Sequence, residues 1–523
     1  MLNKRIHHSI ILTTFLLTAG AIGPVAGENP VPSTGTAPAH SNSFDFSDVE
    51  GIAKTLSTQT YTADTGGLPE YLRLLDYDQY RDIRYKREKS LWLEEKLPFQ
   101  LQFFHRGFLF KDRVKLNLIE GGTARPIDFA RDYFDYGKNQ FPEQMPSDMG
   151  LAGFRILYPL LKNPQFDDIA VFQGASYFRG VGLGQAYGLS ARGLALDTGM
   201  SKAEEFPVFK EFWIEKPVPE STFLTVYALL DSPSATGAYR FIIRPEVDLV
   251  MDVKAHLYLR QGVERFGVAP LTSMFFHGEN SDRFFDDFRP EVHDSDGLLI
   301  GMRNGEWVWR PLNNPSKLRT SVFQGNDIVG FGLIQRDRNF ENYQDLEAMY
   351  HQRPSVWVET LGTWGKGSVY LIEIPIDAEK YDNIVAFWSP DKATSAGQEQ
   401  TFDYRLHFQL NNSLQPAIGR TLATRIGGSG TDVLISSKRK FVVDFDGEAL
   451  RGLSSQARVE AVLSASSGKI SNTVVHKNLM TGSWRLMFDF EPDPDKDPVD
   501  LRAHLKANNQ VLTETWIHQW NKP

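Results

Sequence analysis

The chain has 523 residues, of which 41% are hydrophobic and 23% charged. This ordinary globular balance excludes wholesale disorder and collagen-like or coiled-coil builds. There is no cysteine, which excludes disulfides, thiolate metal sites and a cysteine nucleophile. The formal net charge of −9 argues against a nucleic-acid partner, because phosphate binding needs a basic face.

Residues 1–27 have the features of an export signal. Lys4 and Arg5 precede an apolar stretch at 10–23, which Pro24 and several small residues follow. The apolar run is too short for a stable transmembrane anchor, although an uncleaved anchor is the alternative, and no later stretch is long enough to span a bilayer. Export without cysteine suits a Gram-negative periplasm, where a large core can supply the stability that disulfides give elsewhere.

Helical signals come first along the chain, and strand signals follow. The segment 28–42 is rich in Pro, Ser and Thr, which predicts a disordered leader. Ser47–Glu50 matches a capping box and predicts a helix to about Thr58, and a second helix is predicted at Tyr77–Arg84. From about Leu91 onward, short β-branched or aromatic runs bounded by turn residues predict strands. The clearest predicted strands are Phe99–Phe104, Val114–Leu118, Thr222–Leu230, Tyr239–Ile243, Leu249–Leu259 and Val369–Ile374.

Composition predicts two β domains. The polar segment around Pro416 makes 411–418 the predicted linker. After it, about seven short strands at sandwich-like spacing predict a small immunoglobulin-like β-sandwich at 419–521, without the usual cysteine pair. The preceding 43–410 is too long for one small sandwich and predicts a large, many-stranded β-sandwich. The fold class is mainly β, since no βαβ alternation indicates a doubly wound parallel sheet.

Several motifs that approach catalytic signatures lack the context to support them. Gly180, Gly182 and Gly184 alternate with aromatics and favour a tight β turn or a groove floor over a nucleotide loop. Ser190 does not lie in a G-x-S-x-G elbow. The 12 histidines show no metal-ligand spacing, so the sequence predicts neither a metal nor a cofactor.

Polar chemistry is concentrated between residues 286 and 390, where carboxylates, arginines and tryptophans lie close together. A strand through this region would place Trp307 and Trp309 on one face. Such a density suggests a sugar-binding groove, because aromatic faces stack on pyranose rings and two carboxylates can cleave a glycosidic bond. The alternative is a set of solvated loops and buried salt bridges, and spacing alone leaves both open.

Long sequence strings spread over the chain carry a family resemblance. They are GASYFR (174–179), YGLSARGLA (187–195), EEFPVFKEFWIEKP (204–217), YALLDSPSATGAYRF (227–241), GVAPLTSMF (267–275), FRPEVHDSDGL (288–298), GEWVWRPLNNP (305–315), RPSVWVE (353–359), WGKG (364–367) and DNIVAFW (382–388). In these strings the chain resembles the periplasmic glucan biosynthesis G/D family of Gram-negative bacteria. Its ordinary secretion signal resembles the G branch.

The resemblance implies a role in making osmoregulated periplasmic glucans, which have a β-1,2-glucose backbone, and inverting glycoside hydrolase or glucan-transfer chemistry. By motif, Asp382 corresponds to the proposed general acid, Asp294 to the proposed base and Tyr350 to a substrate-groove tyrosine. An inverting acid must be protonated beside the leaving oxygen, so we expect a confined site that raises the pKa of Asp382. For each aspartate the alternative is a structural turn anchor.

Tryptophans and arginines of the same region are further candidates for substrate binding. The tryptophans could be stacking platforms, and the arginines could bind hydroxyls or hold the aspartates by salt bridges. They are Trp307, Trp309, Trp364, Trp388, Arg336 and Arg338. Two functions stay open: an enzyme that cleaves or transfers β-1,2-glucan, and a non-catalytic scaffold that binds nascent glucan for a membrane glucan synthase.

Overall fold

The computed structural model describes residues 43–522, except 65, 147, 162–165, 282, 284, 412–413 and 431–437. The predicted export signal at 1–27 and the predicted leader at 28–42 lie outside the described residues. From Ser43 onward the chain forms one compact unit, and strands make up most of its regular structure. The mainly β fold class is confirmed.

The helices of the described residues are short, and none is long and apolar enough to cross a membrane. The first predicted helix is confirmed, but Asp45 rather than Ser47 caps it. The Asp45 side chain accepts the Ser47 N–H at 2.7 Å, and Asp48 closes the capping box. The α-helices are α1 (Phe46–Ser57), α2 (Glu70–Arg73), α3 (Tyr77–Arg81), α4 (Phe340–Tyr343) and α5 (Glu448–Arg451), and turns of 3-10 helix lie at Arg87–Lys89, Arg131–Tyr133 and Tyr350–Gln352.

Strand bounds largely follow the apolar runs of the sequence, and the predicted strand Leu249–Leu259 has the same bounds in the structure. The predicted helix at Tyr77–Arg84 ends at Arg81, because Arg84–Tyr85 pairs with Phe134–Asp135. The strands up to residue 277 are β1 (Arg84–Tyr85), β2 (Gln100–Phe104), β3 (Lys115–Glu120), β4 (Thr123–Ile127), β5 (Phe134–Asp135), β6 (Gly153–Tyr158), β7 (Asp167–Gln173), β8 (Tyr177–Gly180), β9 (Ser190–Arg192), β10 (Leu194–Leu196), β11 (Val208–Glu215), β12 (Leu224–Asp231), β13 (Ala235–Pro245), β14 (Leu249–Leu259), β15 (Phe266–Ser273) and β16 (Phe275–His277).

The remaining strands continue without a long helix between them, as expected of a β protein. They are β17 (Val292–His293), β18 (Gly297–Met302), β19 (Trp307–Pro311), β20 (Arg319–Gly325), β21 (Ile328–Ile334), β22 (Ser355–Leu361), β23 (Gly367–Glu373), β24 (Ile384–Pro390), β25 (Glu399–Gln409), β26 (Arg420–Gly428), β27 (Arg439–Asp446), β28 (Glu460–Ala465), β29 (Lys469–Lys477), β30 (Trp484–Glu491), β31 (Val499–Ala507), β32 (Gln510–Val511) and β33 (Thr515–Trp520).

Two large sheets contain most of these strands. The ten-stranded sheet has the order β2-β6-β7-β8-β9-β15-β24-β23-β20, with β10 also paired to β15. The fifteen-stranded sheet has the order β28-β31-β33-β19-β18-β21-β22-β25-β14-β13-β12-β11-β3-β4, with β32 paired to β31. Within the described residues, a four-stranded sheet (β26-β27-β30-β29) and the pairs β1-β5 and β16-β17 complete the set.

Aromatic rings join the two large sheets into one core. Phe154 and Phe172 of the ten-stranded sheet meet Phe212 and Phe241 of the fifteen-stranded sheet at ring-centroid distances of 5.1 and 5.2 Å. All four side chains are buried. Edge-to-face aromatic pairs of this kind add to the free energy of area burial, so this layer holds the main sandwich together.

The C-terminal strands form a second, smaller pair of layers. Phe441 and Phe488 of the four-stranded sheet pack edge-on against Trp516 of β33. Because β33 also pairs in parallel with β19, at Val308 and Thr515, this smaller core is continuous with the large sheet. The division into domains at 43–410 and 419–521 stays a prediction.

Trp516 allows a test of how strongly the C-terminal layers are joined. It is fully buried, and its indole N–H donates to the Thr424 hydroxyl at 2.9 Å. We expect Trp516→Ala to lower the free energy of unfolding by about 3–5 kcal/mol and Trp516→Phe by about 1 kcal/mol through the lost hydrogen bond. Urea unfolding measures both, and Met480→Ala, at a 92% exposed position, is the neutral control. Equal stability of all three variants would contradict this packing role.

Candidate active site

A pocket of about 460 Å³ brings together three residues predicted for the site, Asp294, Asp382 and Tyr350. Asp294 directly follows β17, Asp382 lies just before β24, and Tyr350 opens the 3-10 turn before β22. The pocket is therefore built where loops leave both large sheets. Its other lining residues are Val171, Arg179, Tyr187, Gly188, Met274, Ala348, Arg353, Glu379 and Lys380.

A larger hollow of about 910 Å³ lies beside α3, but its polar groups serve the local structure. Asp82 accepts the Lys138 N–H at 2.6 Å and pairs with Arg84 at 3.1 Å. These contacts hold the neighbouring loops together. The smaller pocket, where two acids converge, is the better candidate for chemistry.

The segment Ser273–Phe275, where β15 ends and β16 begins, holds the chain beside both aspartates. The Asp294 N–H donates to the Met274 carbonyl at 2.8 Å. The buried Asn383 amide accepts the Phe275 N–H at 2.8 Å and donates to the Phe275 carbonyl at 3.0 Å. The Asn383 N–H donates to the Ser273 carbonyl at 3.0 Å. Two acids far apart in sequence are thus placed by hydrogen bonds to the same short segment.

Asp294 is a buried carboxylate with an arginine partner. Its side chain is only 6% exposed, and Arg353 donates to one of its oxygens. Arg353 is itself held, because its Nε donates to the Ala348 carbonyl at 3.0 Å and its guanidinium lies 4.3 Å from the Tyr350 ring centroid. Asp294 therefore sits in the pocket as part of a fixed ion pair.

Asp382 has a different electrostatic environment. The residue is exposed at the pocket opening, yet the protein around its carboxyl displaces water. This burial raises the pKa of Asp382; the charge of Arg179 lowers it, the charge of Asp294 raises it, and that of Arg353 lowers it. The net shift is upward, so the proton is held more strongly than by an ordinary aspartate.

Tyr350 is buried at the pocket wall and only 2% exposed. Met349, with a φ of +49°, begins its turn in the left-handed conformation. The Tyr350 hydroxyl donates to Glu379 at 3.3 Å, and Gln335 donates to its backbone carbonyl at 3.3 Å. Burial raises the pKa of the Tyr350 hydroxyl, which keeps it neutral and able to donate a hydrogen bond.

Arg289 ties together three loops beside the pocket. It donates to Asp287 at 2.7 and 3.0 Å and to Asp345 at 2.8 Å, and it pairs with Glu379 at 2.6 Å. The hydrogen bonds from Arg289 lower the pKa of Asp287 to about 2. A guanidinium with three carboxylate partners fixes its surroundings more strongly than a single surface pair would.

Glu291, His293 and Asp296 lie behind Asp294, with ligand atoms within 4.8 Å of one another. By distance alone this set could hold a metal ion, but both ring nitrogens of His293 already have acceptors, Glu291 at 2.8 Å and Gln335 at 2.9 Å. Burial lowers the pKa of His293, yet the hydrogen bond to Glu291 and the charge of Asp296 outweigh burial and raise it to about 9. The group is best described as a buried imidazolium with carboxylate partners.

The tryptophans predicted to bind substrate do not line this pocket. Trp307 is 7% exposed and stacks on Trp357, and Trp309 is 3% exposed beneath Arg336, whose guanidinium lies 3.5 Å from its ring. Trp388 is 1% exposed and packs edge-on against the half-buried Trp364. Because three of the four predicted platforms have no free face, the structure assigns them to the core.

The two predicted arginines bind a buried glutamate and backbone carbonyls within the fold. Arg336 pairs with both oxygens of Glu514 at 2.6 and 2.9 Å and donates to the Thr421 carbonyl at 2.8 Å. Arg338 donates to the carbonyls of His351 and Leu410, each at 3.1 Å. Neither lines the pocket, so neither holds the aspartates by a salt bridge, as the sequence had suggested.

Other lining residues had not been singled out by residue type. Three of them, Arg179, Tyr187 and Arg353, lie inside the strings that carry the family resemblance. Their place in those strings is the feature of the sequence that could have identified them as site residues. Glu379 and Lys380 precede Asp382 in a segment with no apolar pattern. Only the folded loop shows that these two side chains face the same pocket.

The fold and pocket define a mainly β protein with two carboxylates converging on a polar pocket, an arrangement suited to carbohydrate chemistry. The family model described as "Periplasmic glucan biosynthesis protein, MdoG" matches residues 44–520. The chain belongs to this family, and membership supports a role in periplasmic glucan biosynthesis.

Named relatives match over nearly the whole length. "Glucans biosynthesis protein G" of Bradyrhizobium diazoefficiens is 46% identical over 506 residues, which is 96% of this chain and 97% of that protein. "Probable glucans biosynthesis protein D" of Shewanella oneidensis is 44% identical over 529 residues, with 99% and 95% covered. "Glucans biosynthesis protein G" of Ralstonia nicotianae is 45% identical over 481 residues, with 91% and 95% covered.

The Arg353–Asp294 pair leads to a stability prediction. Arg353→Met leaves the Asp294 charge buried without its partner, so we expect a loss of about 1–3 kcal/mol in the free energy of unfolding. Adding Asp294→Asn removes that charge and should restore part of the loss. Urea unfolding of the single and double variants measures the coupling, with the exposed Arg458→Gln as control. Strictly additive effects would argue against the pairing.

Proposed function

We propose that this protein cleaves or transfers β-1,2-glucan chains in the periplasm, with inversion at the anomeric carbon. The observation that carries the proposal is the placement of Asp294 and Asp382 in one pocket under opposite conditions: one is paired with Arg353, and the other has a raised pKa. A pair of carboxyls with different environments is what acid–base cleavage of a glycosidic bond needs.

Asp382 acts as the general acid. It gives its proton to the glycosidic oxygen as the bond from the anomeric carbon to that oxygen breaks. The exposed side of the residue gives the leaving glucan a way out. Arg179, whose charge acts on Asp382, limits how far its pKa rises.

Asp294 acts as the general base. It takes a proton from the attacking oxygen, which forms the new bond at the anomeric carbon from the opposite face. With water as the acceptor the product is a shortened glucan, and with a glucan hydroxyl it is a transferred chain. Arg353 orients the carboxylate. The Tyr350 hydroxyl donates its proton to Glu379, and its oxygen accepts a hydrogen bond from a substrate hydroxyl.

The proposed location is the periplasm, reached through the predicted signal at 1–27. A membrane glucan synthase is the proposed source of the polymer, because a periplasmic enzyme of this kind needs chains that emerge from the membrane. The scaffold alternative differs in one outcome: it requires glucan binding but no turnover.

Asp382→Asn tests the chemistry directly. Asparagine cannot donate the proton, so we expect release of oligosaccharides from linear β-1,2-glucan to fall about 100-fold or more. The matched control is Asp377→Asn, an exposed carboxylate of the same segment that does not line the pocket. Absence of products from the unmodified protein would refute the enzymatic proposal and leave the scaffold. Unchanged products from Asp382→Asn would instead refute the role of Asp382 as the general acid.

The pH dependence of turnover tests the acid assignment. Because Asp382 must be protonated, kcat/KM should fall as pH rises through its pKa. The charge of Arg179 lowers that pKa, so Arg179→Gln should raise it and move the alkaline limb of the profile to higher pH. The limb should not move in Arg458→Gln, which changes a remote, exposed arginine. A shift of the limb to lower pH in Arg179→Gln would contradict the assignment.

A further inference from the structure

Three large apolar side chains are exposed on the loops that Arg289 ties together. Phe288 and Leu346 are each 80% exposed, and Tyr381 is 51% exposed. Phe288 precedes Arg289, Leu346 follows Asp345, and Tyr381 lies two residues after Glu379. We call Phe288, Leu346 and Tyr381 the apolar rim.

The rim is continuous with the candidate active site. Glu379, which pairs with Arg289 at 2.6 Å, is a lining residue of the pocket and accepts the Tyr350 hydroxyl. Lys380 also lines the pocket, and its ammonium lies 5.0 Å from the Tyr381 ring centroid. The Arg289 guanidinium lies 5.9 Å from the Phe288 ring centroid. Cations therefore brace both exposed rings.

The ion pairs of Arg289 fix the loops of the apolar rim, although the apolar side chains of the rim are not buried. Each rim residue lies within two positions of a carboxylate that Arg289 contacts: Asp287, Asp345 or Glu379. Exposed phenylalanine and leucine gain no stability from such positions. Fixed apolar groups that the fold leaves in water commonly mark a binding surface.

We propose that the apolar rim binds glucosyl units of the glucan chain that extend beyond the pocket. This inference rests on the proposed function and adds the residues that would recognise a polymer. A pocket of about 460 Å³ is in the lower part of the range for small-ligand sites, so a long glucan must continue over its edge.

The chemistry of the rim fits a saccharide. A pyranose ring has a face of C–H groups and an edge of hydroxyls, so it can pack on an apolar side chain. Its hydroxyls then meet the carboxylates and guanidinium beside the rim. A protein partner on this surface would cover the pocket opening at Asp382, which the substrate needs.

The test measures affinity for long linear β-1,2-glucan in the full chain carrying Asp382→Asn, so that binding is separated from turnover. Phe288→Ala and Tyr381→Ala should each raise the Kd about 5- to 10-fold, as expected for the loss of a few tens of Å² of apolar contact. Tyr381→Phe keeps the ring and should keep the affinity. Leu479→Ala, at a remote position that is 78% exposed, is the matched control.

The outcomes separate this inference from the function on which it rests. If the Asp382→Asn protein binds glucan and the rim variants bind it equally well, the rim assignment is wrong while the proposed function stands. If neither the Asp382→Asn protein nor the unmodified protein binds glucan, both are wrong. Unchanged glucan affinity together with lost glucan synthesis in cells would instead assign the rim to a protein partner. Unaltered thermal unfolding of the variants shows that their loss of affinity is local.

Discussion

The pocket depends on one set of hydrogen bonds, those that the segment Ser273–Phe275 makes with Asp294 and Asn383. A buried amide must find partners, and the Asn383 side chain finds them on the Phe275 backbone and on the Ile374 carbonyl. Because β16 also pairs with β17, the strand that precedes Asp294 is tied to the same segment. The backbone positions of both acids are therefore set by hydrogen bonds to one short segment.

The positions of neighbouring charges give Asp294 and Asp382 different electrostatic environments within this hydrogen-bonded arrangement. Arg353 is held by the Ala348 carbonyl and by the Tyr350 ring, and it contacts Asp294 directly. Asp382 has no such direct contact among the described hydrogen bonds, and burial dominates its pKa. Acid–base chemistry needs one carboxyl group that is ionised and one that holds its proton. Once the loops are fixed, this difference follows from the contact of Asp294, rather than Asp382, with the Arg353 guanidinium.

Local sequence patterns predicted elements well and their partners poorly. The alternation through Trp307 and Trp309 correctly put both indoles on one face, since both join the smaller core while Val308 joins the larger one. Both faces of β19 are buried. The face with the two indoles is covered by the C-terminal strands, and β19 pairs in parallel with β33, a contact between distant segments that no local pattern contains. Only the resemblance identifies Asp294 and Asp382 from sequence. Neither spacing nor periodicity encodes the hydrogen bonds by which Asp294 and Asn383, the neighbour of Asp382, meet the same segment.

The aromatic residues fall into two groups by solvent exposure: buried rings stabilise the cores, and exposed rings can contact a ligand. The tryptophans of β19, β22 and β24 fill the cores because strands turn alternate side chains inward, and a large ring stabilises most when it is buried. Phe288 and Tyr381 lie on loops whose order comes from Arg289 and its carboxylates, so the fold gains little from burying them. Ionic anchoring thus leaves these two rings exposed beside the pocket, and a surface for a sugar chain can exist there without loss of apolar packing in the core.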